Sequence, residues 1–248
     1  MSTQLKLNKI KPLLMEEFVL GYTLFDRLFL ASMLAVQIAV FIMFPESLIS
    51  IISGISGVIS VVLCAKGKIS FYYIGFVQTI SYLFLSLQNR FYGEVIENIF
   101  YLVTMIIGIF LWHNNSGKME DGGKYVKSKA MDIKMWVFTI LATIASTLLT
   151  GMFLESIGSN QAYTDAATNI LAIFAQLLMI KGYREQWVWW IAIDLICIKL
   201  WYIAGNWSMV AMYIAWTVNC IYGWYNWSKL HAEQNLHISE KTGNEVKS

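Results

Sequence analysis

The chain has 248 residues, of which 57% are hydrophobic, 15% aromatic and only 14% charged. That mixture excludes an ordinary soluble domain and predicts an all-α integral membrane protein, because long unbroken apolar runs do not fit a β-barrel. The net charge of +2 says little by itself, and no nucleic-acid partner is expected.

Residues 1–23 form an amphipathic N-terminal lead, LKLNKIKPLLMEEFVL, expected on the inner membrane surface and not to be a cleavable signal peptide. Windows of about 20 apolar residues then predict eight spans, near 24–44, 47–65, 69–88, 91–112, 135–157, 162–182, 187–204 and 206–227. Turns as short as Pro45-Glu46 favour antiparallel neighbours. The expected organisation is an additional transmembrane helix (24–46), a first three-helix repeat (47–112), a cytoplasmic loop (113–134), a linking transmembrane helix (135–160) and a second three-helix repeat (161–227). The polar residues 228–248 form a cytoplasmic tail, expected to fray. The loop HNNSGKMEDGGKYVKSKAMDIK is expected to be a solvated connector, its lysines meeting lipid headgroups.

Basic residues give the orientation. Of the 18 lysines and arginines, all but Arg90 and Lys199 fall on one side of the eight-span arrangement. That asymmetry puts both termini in the cytoplasm. Cys64, Cys197 and Cys220 lie in apolar spans without paired spacing and are read as core thiols. His113, His231 and His237 lie in loops or the tail, and no metal-ligand spacing, nucleophile elbow or phosphate loop accompanies them. The expectation is a protein that is not an enzyme and takes no metal or cofactor.

A shift of 115 residues aligns Lys66-Gly67 with Lys181-Gly182, Tyr72 with Trp187, Gly108 with Gly223 and Trp112 with Trp227. Four helices separate these anchors, so the repeat is parallel, a plan of secondary transporters. A duplicated membrane sensor or scaffold without transport is the alternative. The two halves differ in chemistry, since Trp190 corresponds to Gly75 and Asp194 to Thr79.

Trp187, Trp190, Asp194 and Trp201 are spaced along one helical stripe. An acid within a lipid-spanning segment is a functional candidate. Lys199, five residues on, is about 140° away around the helix and ill placed to pair with it. Further polar series lie on the other spans: Gln78 and Tyr82 on the third, Glu94, Asn98 and Tyr101 on the fourth, Asp165, Asn169 and Gln176 on the sixth, Trp216 and Asn219 on the eighth. Buried amides either pin helices or meet a ligand. A carboxylate beside aromatic faces suits a cationic aromatic ligand.

The segment WVWWIAIDLICIKLWY, with Trp187, Trp190, Asp194 and Tyr202, resembles the PnuC family of bacterial vitamin transporters. The resemblance continues at Tyr213, Asn219, Gly223 and Trp227, at Gln78 and Tyr82, and in GEVIEN from Gly93 to Asn98, although members more often have Leu-Asn where this chain has Glu97-Asn98. It implies a fold similar to the SWEET carriers, with two three-helix bundles, a linking helix and here an extra N-terminal helix. It further implies a homotrimer in the cell inner membrane, and facilitated diffusion of a small-molecule substrate trapped by cytoplasmic phosphorylation. Nicotinamide riboside is the expected substrate and thiamine, or another vitamin or nucleoside, the alternative. The expected substrate-binding residues are Gln78, Tyr82, Asn98, Asn169, Trp187, Trp190, Asp194, Tyr202, Tyr213 and Asn219.

Overall fold

The computed structural model describes residues 15, 17, 19–44, 47–118, 123–159, 161–205 and 207–245, and the side chains of 92, 208 and 237–245 are not among those described. Most of the expected N-terminal lead therefore lies outside the described residues. Eight long helices follow in order: α1 (Leu24–Met43), α2 (Leu48–Ala65), α3 (Ser70–Gln88), α4 (Tyr92–Asn114), α5 (Ile133–Ser156), α6 (Ala162–Ile180), α7 (Gln186–Ile203) and α8 (Trp207–Glu245). Among the described residues, seven of them, α1 to α7, are long and apolar enough to cross a membrane. The protein is thus a multi-pass, all-helical membrane protein, and it divides into two compact units, Met1–Lys127 and Ser128–Ser248.

Helix starts follow local chemistry. Thr23 and Asp26 form a capping box on α1, Ser47 caps α2 by accepting from Ser50 N, and Asp132 caps α5 by accepting from Met135 N. Helix ends at corresponding places in the two units are alike. Gly67 (φ 68°) and Gly182 (φ 81°) take the left-handed conformation that closes α2 and α6. Their carbonyls accept from different donors: Gly67 O from Val126 N at 2.9 Å and Gly182 O from Lys129 N at 2.8 Å.

In the first unit, α2 packs on α3, α3 on α4, and α1 on α2. Asp26 of α1 reaches Lys66 at the end of α2 in a buried ion pair of 2.8 Å. Lys66 and Lys68 also lie over the Tyr22 ring, at 5.6 and 5.8 Å. Burial, reinforced by the charges of Glu17 and Asp26, pushes the Tyr22 hydroxyl pKa up. The ring therefore stays neutral beneath the two ammonium groups. In the second unit α5 packs on α6, α6 on α7 and α7 on α8. Its core gathers Met131, Ala175, Leu178 and Trp189, with Trp190 and Trp136 at the edge.

Two expectations change. The stretch 113–134 is not simply a solvated connector: Ser116–Lys118 (β1) pairs antiparallel with Lys124–Val126 (β2), and Tyr125 and Val126 are buried. The Tyr125 ring takes the ammonium of the fully buried Lys68 at 3.8 Å, a cation–π contact that turns an apparent loop residue into core. Nor does the chain fray after Trp227, because α8 continues to Glu245. Its second half is anchored where Gln234 accepts from Ser128 N at 2.9 Å and His231 Nδ1 lies 2.9 Å from Ser128 O.

Candidate functional site

Helices α7 and α8 carry the acid and the rings. Near the start of α7, Trp187 is 3% exposed, and its indole lies edge-on to Trp227 of α8 with ring centres 6.1 Å apart. Gly223 makes this possible, since a Cβ built there would fall 2.5 Å from the Trp187 ring. Corresponding residues of the first unit repeat the arrangement: Tyr72 lies edge-on to Trp112 at 5.1 Å, over Gly108.

Two turns beyond Trp187, Asp194 is buried, with 3% exposure. Its Oδ2 accepts from the Cys220 thiol at 3.5 Å, and Thr217 is a second hydrogen-bonding neighbour. No basic side chain bonds Asp194 among the described residues, and Lys199 is exposed on α7. Asn219, beside Cys220 on α8, is 3% exposed, and its Oδ1 has no protein partner. Tyr213, one and a half turns earlier on α8, stands edge-on to Trp216 at 5.6 Å and hydrogen-bonds Cys197 of α7. Trp190 is half-buried and rests on the core of Met131, Ala175, Leu178 and Trp189. The second unit thus brings together a buried acid, an amide with a spare acceptor and several rings. Such a set can hold the charge and hydroxyls of a planar cation.

The other expected residues of this unit stand apart. Tyr202 is exposed at the far end of α7, edge-on to Trp207 at 5.4 Å. Asn169 is exposed on α6 and donates to Asp165 O of its own helix at 2.8 Å.

In the first unit, Gln78 is half-buried on α3 and its Oε1 accepts from Thr79 Oγ1 at 3.1 Å. Tyr82, one turn on, is partly exposed and hydrogen-bonds Glu94 of α4. Asn98 is buried but donates to Glu94 O of its own helix at 2.7 Å, while Glu97 accepts from Tyr101 at 2.6 Å. Tyr82 and Glu94 therefore meet across α3 and α4, Gln78 lies against Gly57 of α2, and the Asn98 amide closes on its own helix.

Cys220, Thr217 and the first residues of α7 were not singled out by sequence pattern. Glu185 and Gln186 are almost wholly buried; Glu185 Oε1 accepts from Arg184 Nε at 3.2 Å, whereas its Oε2 and both polar atoms of Gln186 have no protein partner. Their charge and amide amid tryptophans were the available signal. Among the described residues no group of three or more His, Cys, Asp or Glu could hold a metal ion. A groove of about 240 Å³ beside α1 and α2 is lined by Tyr22, Arg27, Leu30, Leu34, Ile59 and Leu63, and none of the expected substrate-binding residues lines it.

Known proteins resemble this chain in sequence and in fold. The sequence profile described as nicotinamide mononucleotide transporter matches residues 47–229. The nicotinamide riboside transporter PnuC of Haemophilus influenzae is 38% identical over 223 residues, 90% of this chain and 97% of that protein. Its Neisseria mucosa counterpart is 32% identical over 218 residues, 85% of this chain and 83% of that one. A crystal structure of the vitamin B3 transporter PnuC superposes with a TM-score of 0.74 at 31% identity, covering 86% of this chain and 94% of that one. With the profile spanning most of its helices and these relatives matched over nearly their whole length, the chain belongs to the PnuC family of nicotinamide mononucleotide transporter-like proteins.

Proposed function

We propose that this protein transports nicotinamide riboside across the cell inner membrane by facilitated diffusion, the product being trapped by phosphorylation in the cytoplasm. The observation that carries the proposal is Asp194, a buried acid on an apolar helix whose described partners are a thiol and a hydroxyl rather than a cation. A fixed pyridinium charge supplies the counter-ion that the protein withholds. Relatives bearing the name nicotinamide riboside transporter support the choice of substrate. Asp194, Trp190, Asn219 and Tyr213 are proposed to contact it from α7 and α8; for Gln78, Tyr82 and Asn98 of the first unit a substrate-binding role is proposed from the family resemblance alone. Trp187 is assigned the packing of α7 on α8, and Asn169 and Tyr202 the periphery.

The proposal includes eight spans, the eighth formed by the first part of α8, up to Trp227, with both termini cytoplasmic. The recurrence of the ring-over-glycine contact in both units supports a SWEET-like pair of three-helix bundles joined by α5 and preceded by α1. The family resemblance extends this to a homotrimer. With one acid beside the proposed ligand contacts on α7 and α8, transport is equilibrative. Purified protein in sealed liposomes is expected to equilibrate labelled nicotinamide riboside with the lumen at a rate indifferent to pH or sodium gradients. Accumulation above the outside concentration under a gradient would refute uniport, and saturable binding without luminal label would make the protein a sensor.

A further inference from the structure

We infer that Cys220 is a positioning residue for Asp194: its thiol donates to the carboxylate and fixes the oxygen presented to a cationic ligand. This rests on the reading of Asp194 as the ligand's charge partner. The thiol sulfur lies 3.5 Å from Asp194 Oδ2, and the two residues are 6% and 3% exposed. A thiol is a weak donor, but an ionised acceptor in a dry environment strengthens the bond.

The other candidate donor is compromised. Thr217 has one hydroxyl hydrogen, and its Oγ1 lies 2.8 Å from the Tyr213 carbonyl of its own helix. The Thr217 hydroxyl therefore divides its hydrogen between that carbonyl and Asp194. The Cys220 thiol, on the same helix, is the other donor placed to orient the acid.

The first unit provides an internal control. Positions 79 and 105 correspond to 194 and 220 under the 115-residue shift, and there Thr79 Oγ1 faces Met105 Sδ at 3.7 Å. There too oxygen on one helix faces sulfur on the next, with the Thr79 hydroxyl also 3.1 Å from Gln78 Oε1. A thioether can only accept, so a carboxylate facing methionine would find no donor at that position. Where the second unit has the acid, it also has the sulfur residue that can donate. Side-chain size follows the same logic. Met105 Cε would lie 2.8 Å from a Cβ on Gly75, so the long methionine occupies the space above that glycine. The corresponding pair in the second unit is the short Cys220 with the large Trp190.

The test measures affinity by calorimetry in detergent for nicotinamide riboside and for its uncharged dihydro analogue, with Asp194→Asn as the reference. Cys220→Ala is expected to weaken binding of the cation about five-fold and of the neutral analogue less than about two-fold, the loss of one modest hydrogen bond to a charged group. Cys220→Ser restores a donor and is expected to bind both ligands within about two-fold of the parent protein. Should Cys220→Ala fail to fold, Cys220→Val, which fills the space without donating, serves the same comparison. Unchanged cation affinity without the donor, equal losses for both ligands, or no rescue by serine would overturn the inference and leave the thiol as packing. An Asp194→Asn protein that loses affinity while Cys220→Ala does not would sink this inference alone. Full affinity in Asp194→Asn would remove the reading beneath it as well.

Discussion

Gly223 and Trp187 occupy one another's space: the indole lies where a Cβ on residue 223 would be, 2.5 Å from the nearest ring atom. This close approach seats α8 against α7, where Cys220 reaches Asp194. Alanine at 223 adds helix propensity of up to about 1 kcal/mol but overpacks a ring that the neighbouring Trp227 prevents from moving, a penalty of about 1–3 kcal/mol. Gly223→Ala is therefore expected to lower the melting temperature in detergent and to weaken ligand binding. Gly108→Ala meets Tyr72 in the same manner and is expected to be destabilising as well. A Gly223→Ala protein as stable and as tight-binding as the parent would show that the helices separate there without consequence.

The Asp26–Lys66 pair fastens α1 to the end of α2, and Asp26 Oδ2 also accepts from Thr23 N at 2.8 Å to complete the α1 cap. Removing one member of a buried pair strands the other charge and costs about 3–5 kcal/mol. Asp26→Asn and Lys66→Met are each expected to be strongly destabilising, and the double variant much less so than their sum. Additive losses in thermal unfolding would mean the two residues act separately.

Much of the fold was legible because apolar length and glycine position are local signals. The first seven helices lie close to the expected spans, and the common register of Tyr72, Gly108 and Trp112 with Trp187, Gly223 and Trp227 anticipated a real packing motif. What escaped depended on partners distant in sequence. The pairing of Lys66 with Asp26, 40 residues apart, appears only once α1 lies against α2. Cys220 read as a core thiol, which its burial supports, but its contact with Asp194 depends on the rotation of α8 about its axis. The polar composition after Trp227 concealed a helix because its docking partner, Ser128, is about a hundred residues away.

Orientation follows from the basic residues, and two serines report it. Ser116 opens β1, and Ser159 follows α5. In a protein freed of native cysteines, Ser116→Cys is expected to be shielded from an impermeant thiol reagent in intact cells and Ser159→Cys to react. Labelling of position 116 from outside would overturn the assignment of that hairpin to the cytoplasm.

Trp187 and Trp190 are neighbours on one stripe with different surroundings, which separates packing from binding. Trp187 is closed in by Gly223 and Trp227, so Trp187→Phe empties part of a packed contact and is expected to lower stability by about 1–3 kcal/mol. Trp190 is half-buried at the edge of the core and keeps part of its surface free. A cation stacked on that ring draws about 1–2 kcal/mol from it, so Trp190→Ala is expected to weaken nicotinamide riboside binding roughly ten-fold and Trp190→Phe only mildly. Because Trp190 also rests on Leu178 and Trp189, some loss of melting temperature accompanies the alanine variant. Binding therefore has to be compared between Trp190→Phe, which keeps a ring, and Trp190→Leu, which keeps the apolar contact without one. Leucine is expected to restore stability but not affinity. If leucine binds the cation as well as phenylalanine does, the ring is packing and the stacking role passes to another residue of α7 or α8.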